Sequence, residues 1–556
     1  MRHRTFVRMW SPAVLASAVL VNGCRDNPLS VDNTQQPSVT GVFSSPGTVE
    51  AVVARVFQQM YNGQLGSGDD LFTQSITMSF ESASQLGNFG MGTRGSIPRS
   101  PIDNSIGNNV AAGNFRDFDF LSRNARLAST AVGAMDKFIA ASAGTGSVGR
   151  DARARSFGYF ALGYALGNLA LFYDSAAIMT PGDPTDAAGN FVVPGLSHSS
   201  AVLAAAIKDL DSAIVIAAAG PSTAIPADWL SVPSDLTNAN YVRLLRSYRA
   251  KIRAGYGRNP TDRAAEDWTA IIADATNGIT SDFVIGVNAV TGWSGATISQ
   301  MSVSTTWSQM TPFVLGMADT AGAYDAWLQQ ALTARTPFLL RTPDKRFPSG
   351  NTRALQQAPT GNSRAGTPPG SIVYFRNRPT GEDSPADPWG TWFYDNHRSW
   401  AIRANGGNGP YVMYAVAEND MLAAEGYLRT GQVASAIPLI NKYRTRAGLA
   451  AIPLTALITD AVPGSTPTSN DCVPRVPQPP AYNTTACGTV FEAMKWEKRV
   501  ETNLIGYGQW FIDSRGWGDL TSGTPLEWPV PYQELFARNK ASYTTAARAT
   551  TGTYGF

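Results

Sequence analysis

The sequence predicts a mainly α-helical chain built from paired helices and interrupted by one long loop-rich lobe. Three observations predict it. Apolar residues recur at i, i+3, i+4 and i+7 in several separate segments, the period of an amphipathic helix. Two of these stripes are separated only by a short glycine-containing break, the pattern of an antiparallel helix pair. From about residue 281 to residue 410 the helical period disappears, and Gly, Ser, Thr, Pro and Trp take over.

The 556 residues suffice for two or more cores or for one large helical array. A hydrophobic share of 43% excludes a disordered chain, while charged residues, at 15%, fall well below the roughly 25% usual in soluble domains. Lys and Arg number 44 against 42 Asp and Glu, so no basic face for nucleic acid is expected. Three His and three Cys leave little material for a metal site, and no cofactor is expected.

Residues 1–23 read as an export signal: Arg2, Arg4 and Arg8 precede the apolar run Met9 to Val21, which is too short to span a bilayer. The run ends in Val21-Asn22-Gly23-Cys24. Small residues before a Cys resemble the lipobox of bacterial lipoproteins, in which Cys24 would be lipidated; the alternative is an ordinary signal cleaved near Gly23. Loss of the signal removes three Arg and no acid, leaving 41 basic against 42 acidic groups. Residues 24–45 are polar and Pro-containing, a tether to the body at 46–556. No other segment is long and apolar enough to cross a membrane.

Within the body, Phe157, Phe160, Tyr164, Asn168 and Leu171 form the first stripe, and Leu203, Ile207, Leu210 and Ile214 the second. A candidate helix pair lies at Tyr241–Tyr256 and Ala264–Gly278. The clearest pair carries Tyr414, Ala417, Met421, Ala424 and Leu428 on one helix and Val433, Ala436, Ile440, Tyr443 and Ala447 on the next. Gly431 between them is placed to adopt the left-handed conformation that ends a helix. This spacing resembles a tetratricopeptide helix pair. Pro438 predicts a kink in its second helix. Cys472 and Cys487 flank a Pro-rich loop and, in an exported chain, read as a disulfide. The scaffold is thus expected at 46–280 and 411–556, with the lobe at about 281–410.

The order of these features resembles the SusD/RagB family of outer-membrane nutrient-binding lipoproteins. The resemblance rests on Cys24 followed by Asn27-Pro28-Leu29, on Arg155-Ser156-Phe157-Gly158-Tyr159-Phe160, and on Lys208-Asp209-Leu210-Asp211. It continues through Glu418 to Glu425, Asn441-Lys442-Tyr443-Arg444-Thr445-Arg446-Ala447-Gly448, Glu497-Lys498-Arg499, Trp510 to Gly518, and Trp528-Pro529-Val530-Pro531-Tyr532. Gln509 stands where many members carry Arg. The resemblance implies tetratricopeptide-like helix pairs in a right-handed superhelix with a loop-rich lobe. It further implies a binding protein rather than an enzyme, lipid-anchored in the outer membrane and facing the exterior. Its partner would be a TonB-dependent transporter of the SusC/RagA type, and its ligand a glycan or other nutrient. Arg25, rather than Asp, follows the Cys, in keeping with the outer membrane.

Two candidate chemistries follow from the residues themselves. Sugar faces stack on Trp and Tyr, so the aromatic run in the lobe is the candidate ligand surface: Trp389, Trp392, Tyr394 and Trp400, with His397 beside them. Trp293, Trp307 and Trp327 lie in the same lobe. The catalytic alternative is a lipid-anchored surface glycoside hydrolase using Glu497 and Glu501. These two sit one turn apart on one helix face and cannot easily flank a sugar, so a structural ion-pair network with Arg499, Arg515 and Asp513 is expected instead. Glu418 and Glu425 are expected to act likewise beside Arg444 or Arg446.

Overall fold

Helices form where the apolar stripes fall, and several of them begin at a side-chain cap. The computed structural model describes residues 43–84, 86–141, 149–183, 191–220, 222–301, 307–358, 372–382, 392–466 and 469–556. The export signal, Cys24 and most of the tether lie outside them. Helix α1 (Pro46–Leu65) begins at Ser45, whose hydroxyl accepts from the Thr48 N–H while Thr48 Oγ1 accepts from the Ser45 N–H. This reciprocal cap satisfies two of the four donors a helix start leaves free. The main helices that follow are α2 (Leu71–Met78), α3 (Ala112–Ala141), α4 (Gly149–Phe172), α5 (Ser199–Ala219), α6 (Asn238–Gly255) and α7 (Trp268–Thr276). After the lobe come α8 (Val416–Arg429), α9 (Val433–Arg446), α10 (Val490–Thr502), α11 (Gln509–Trp517) and α12 (Tyr532–Ala537).

Neighbours in sequence are neighbours in space. Helix α3 packs on α1, α4 on α3, α5 on α4, α6 on α5, α7 on α6, and α8 on α7, with α9 and α10 closing over α8. This is a tetratricopeptide-like superhelical array of helix pairs. The α8–α9 pair turns at Gly431, with φ of +76°, a conformation glycine adopts without steric cost. Helix α9 runs on through Pro438.

Helix α4 is the centre of the array and departs from the single stripe its sequence suggests. Its residues are buried almost without break from Ser156 to Phe172, because glycines let other helices approach its remaining faces. A Cβ at Gly163 would stand 2.8 Å from Leu210 Cγ and 2.9 Å from the Ala206 carbonyl oxygen on α5. One at Gly167 would stand 2.5 Å from Ile252 on α6. Overpacking a contact that includes rigid backbone costs about 1–3 kcal/mol. Gly163→Ala is therefore expected to lower the free energy of unfolding by that amount, seen as a lower urea midpoint at unchanged slope; an unaltered midpoint would remove α4 from this role.

The sheets of the described residues are four two-stranded antiparallel ribbons. Strand β1 (Ser175–Ala177) pairs with β2 (Leu196–His198), and β7 (Arg475–Pro477) with β8 (Thr485–Cys487). Cys472 and Cys487 are joined by a disulfide, their Cα atoms 5.6 Å apart. In the lobe, β4 (Phe375–Asn377) pairs with β5 (Tyr394–Asn396). Strand β3 (Phe283–Val287), on which the chain enters the lobe, pairs with β6 (Gly409–Tyr414), on which it leaves. One continuous apolar core runs through scaffold and lobe, from Phe57 and Phe160 to Trp327, Trp392 and Tyr394.

Candidate functional site

Trp392 and Tyr394, in the middle of the aromatic run, belong to the core of the lobe. Trp392 and Tyr394 are fully enclosed, with ring centroids 4.9 Å apart. Trp392 Nε1 donates to the Phe338 carbonyl at 3.0 Å, and Tyr394 Oη meets Gln356 Oε1 at 2.6 Å while accepting from the Leu340 N–H at 2.9 Å. Both polar tips are thus satisfied inside the protein. His397 is buried as well, and burial, with Arg376 adding to it, pushes its pKa down to about 4. Its ring stacks on that of half-buried Trp400, with centroids 5.7 Å apart. Trp389 lies outside the described residues. Trp293 and Trp327 are buried, and half-buried Trp307 packs edge-on against Phe89 at 4.7 Å. The expected stacking surface is corrected at Trp392, Tyr394 and His397, which the protein encloses; Tyr394 stands on a three-residue strand buried along its length.

The carboxylates of α10 are structural, through partners other than those expected. Arg346, in the lobe, donates from Nη1 to Glu497 Oε2 at 2.7 Å and to Glu501 Oε1 at 3.2 Å, and from Nη2 to Asp344 at 2.7 Å. Glu501 Oε2 also accepts from Tyr374 Oη at 2.7 Å and from Arg446 at 2.6 Å. Burial pushes Glu497 up to about 7 against the pull of Arg346 and Arg444. Burial acts on Glu501 too, but Arg346, Arg398 and Arg446 hold it below the usual carboxylate range. A pair of carboxyls with separated pKa values is the usual mark of an acid and a base. Here both are enclosed by their cationic partners, and neither is among the residues that line the seam cleft. Arg499 instead serves Asp519, and Asp513 holds Arg263 and Lys498. Arg515 donates to the Leu171, Leu526 and Gly255 carbonyls.

Glu425 pairs with Arg263 and Arg429, and Glu418 lies 3.1 Å from Lys251. The expected partners Arg444 and Arg446 face α10 instead, because α8 turns its acidic face towards α6 and the segment following it. Among the described residues no group of three or more His, Cys, Asp or Glu is placed to hold a metal ion, and no helix is long and apolar enough to cross a membrane.

A cleft of about 730 Å³ opens at the seam between scaffold and lobe. Its walls come from α1 (Arg55), the short helix Ala227–Leu230 with the following Ser231 and Val232, strand β3 with Thr291 and Trp293 beyond it, and Pro410 of β6. Ser231 fastens one wall to the other. Its N–H lies in a backbone with φ of +52°, its hydroxyl donates to the Gly286 carbonyl, and its own carbonyl accepts from the Gly286 N–H, both at 2.6 Å. The floor is apolar, with Trp293 packed on Tyr61 at 5.2 Å. Arg55 and Asp228 face each other across the mouth at 3.6 Å, each half exposed or more, so both can turn to a ligand at little cost. The volume falls within the roughly 300–1,000 Å³ of small-molecule sites. Sequence reading missed this cleft, because its residues are ordinary in kind and come from four separate segments.

No family model and no curated protein matches the chain. Solved structures do. A SusD superfamily protein from Bacteroides fragilis aligns over 90% of this chain and 100% of its own, at 12% identity and a TM-score of 0.50. A SusD/RagB family protein from Bacteroides thetaiotaomicron aligns over 88% and 94%, at 14% identity and a TM-score of 0.48. A SusD superfamily protein from Bacteroides vulgatus aligns over 89% and 90%, at 11% identity and a TM-score of 0.47. The paired helices, the lobe inserted between α7 and α8, and the alignment over the full length of the first of these structures together give the chain a SusD-like fold.

Proposed function

We infer that the protein is a nutrient-binding lipoprotein of the SusD/RagB kind, anchored through Cys24 to the outer membrane and facing the exterior. It captures an oligosaccharide or similar nutrient and hands it to a TonB-dependent transporter of the SusC/RagA type. The observation that carries this reading is the large apolar-floored cleft at the seam of a SusD-like fold, with Arg55 and Asp228 at its mouth. Sugar rings present apolar faces to such a floor and hydroxyls to such a rim. The alternative, a surface glycoside hydrolase, is disfavoured by the enclosure of Glu497 and Glu501 within ion pairs.

The test is a pull-down of the tagged protein from detergent-solubilised outer membranes, with partners identified by mass. A stoichiometric barrel of the TonB-dependent class supports the reading. Recovery of the protein alone, from cells that express such a barrel, overturns it. For the cleft, malto-, cello- and xylo-hexaose are titrated into the purified protein. Thr291→Trp, at the exposed lip, is expected to weaken the oligosaccharide that binds by about tenfold or more, since it fills space the ligand needs. Equal affinity in that variant would move the binding site elsewhere.

A further inference from the structure

Helix α2 begins on two carboxyl groups that come from different parts of the chain. Asp70 caps it, Oδ1 accepting the Thr73 N–H at 3.0 Å, and Asp117 of α3 takes the Leu71 N–H on Oδ2 at 2.7 Å. Those two N–H groups belong to one helical turn, so the carboxyls that receive them are neighbours. Both residues are fully buried. Their remaining oxygens meet hydroxyls: Thr297 donates to Asp70 Oδ2 at 3.2 Å, and Tyr507 donates to Asp117 Oδ1. Among the described residues no basic group comes within ion-pair distance of either carboxyl. The cation that faces them, Arg116 of α3, donates instead to the Gly63 carbonyl at 3.2 Å and the Asn62 carbonyl at 3.3 Å, and lies over the Phe120 ring.

Two adjacent carboxylates without a counter-ion cannot both stay ionised in a protein interior, because burial penalises each charge and each charge penalises the other. Burial pushes Asp70 well above the ordinary carboxylate range, with Asp117 adding to it, against the pull of Thr73, Thr297 and Arg116. Burial raises Asp117 likewise, against the donors Tyr507 and Leu71. The other titratable groups that face the pair give no relief. Half-buried Asp69 is itself raised by burial, and burial holds the phenols of Tyr164, Tyr173 and Tyr507 in their neutral form. A proton is accommodated here without breaking a contact, since the Thr297 hydroxyl can turn from donor to acceptor when Asp70 Oδ2 carries it.

Thr297 belongs to the short lobe helix Ala296–Met301, so the pair spans lobe and scaffold. The stretch leading into that helix carries Thr291 and Trp293 of the seam cleft. Helix α1 holds this stretch through neutral groups: Gln58 donates to the Thr291 carbonyl, Asn62 to the Gly292 carbonyl and Tyr61 to the Ser294 carbonyl. Of these contacts only the one between Thr297 and Asp70 can change its charge. We propose that Asp70 and Asp117 form a proton-operated latch, which holds the start of α2 to the lobe helix while the pair keeps a proton and loosens as pH rises and both carboxyls ionise. The native pair binds a proton that the unfolded chain has released. Its contribution is therefore complete below about pH 3.8, declines as pH rises, and is gone once both native groups have ionised. The latch belongs to the fold and does not depend on the nutrient reading.

The test compares the parent with Asp70→Asn/Asp117→Asn, both in the Glu81→Gln background so that Glu81 does not titrate. Asn keeps the capping acceptors and cannot ionise. Two readouts are taken at about pH 6 and about pH 9, a range that brackets a fully buried carboxyl. One is the infrared band of protonated carboxyl groups; the other is hydrogen exchange of residues 291–301, corrected for the intrinsic rate. The parent is expected to show an acid band at the lower pH that the variant lacks. Between the two pH values its exchange protection is expected to fall about tenfold more than that of the variant. Melting temperatures establish that both proteins are folded. Should the double variant not fold, Asp117→Asn alone, which leaves the Asp70 cap in place, takes its part in the comparison. Identical acid bands in the two proteins, or an equal fall in protection, overturns the proposal.

Discussion

Replacing Arg346 by methionine is expected to lower the free energy of unfolding by about 3–5 kcal/mol, the usual cost of removing one partner from a buried ionic cluster. The side chain is about 1% exposed and holds three carboxylates, those of Asp344, Glu497 and Glu501, of which the last two belong to α10. Without the guanidinium these carboxyls lose their main counter-charge in a low-dielectric interior. Arg444 is 3.6 Å from Glu497 and Arg446 retains Glu501, so the loss falls hardest on Asp344, which keeps only two neutral donors, the residue 346 N–H at 3.0 Å and Trp496 Nε1 at 3.2 Å. Urea unfolding of the variant measures the effect. A second replacement, Asp344→Asn in the Arg346→Met background, is expected to recover part of it by removing an orphaned charge. A single variant as stable as the parent, or a double variant less stable than the single, would show that the cluster does not tie lobe to scaffold.

The second large effect concerns pH. Glu81 is almost fully buried, and burial pushes its carboxyl from 4.5 up to about 8 against the stabilising N–H of Leu504, which donates to Oε1 at 2.7 Å. The native state therefore keeps this proton over a range in which the unfolded chain gives it up. Its contribution is fully present below about pH 4.5, falls as pH rises, and is gone above about pH 8. At about 1.4 kcal/mol per pKa unit, the whole change is on the order of 5 kcal/mol for the shift from 4.5 to about 8. Glu81→Gln keeps an acceptor for Leu504 and cannot ionise. The variant and the parent should have similar stability near pH 4.5. Towards pH 8 the variant should become the more stable of the two. Parallel stability curves for the two proteins across that range would show that Glu81 is ionised in the native state.

Much of the helical scaffold can be read from the sequence. The α8–α9 pair was legible because apolar residues at helical spacing flank Gly431, and because α9 buries one face while α8, buried almost throughout, still carries its apolar stripe. The total burial of α4 was not legible. Its second and third contact faces are made by Gly158, Gly163 and Gly167, which carry no hydrophobic signal and register only through what they allow to come near. The lobe misled for a different reason. Trp392 and Tyr394 have the composition of a sugar platform, yet strands β4 and β5 are only three residues long and buried on both faces, so alternation cannot say which way a ring points. Ionic partners were misassigned by the same logic: which basic group meets Glu497 depends on where residue 346, about 150 positions away, returns to the helix. The seam cleft gathers Arg55, Asp228, Val284 and Pro410, and no local pattern links them.

The pairing of β3 with β6 has a consequence for how such a protein changes over time. The lobe leaves the scaffold at Val287 and rejoins it at Gly409, and these two residues face each other across the ribbon. To the helices, the whole excursion is therefore an insertion with a fixed doorway. The entropy of closing such an insertion grows only with the logarithm of its length, about 0.6 kcal/mol for each doubling. Lengthening or shortening the segment inside the doorway thus disturbs the register of the helices little, provided that the ribbon, the Arg346 cluster and the apolar core shared with the helices survive. One wall of the seam cleft stands on that ribbon and the other on the helices. The chain can vary the first and keep the second, reshaping the cleft without refolding the helical frame.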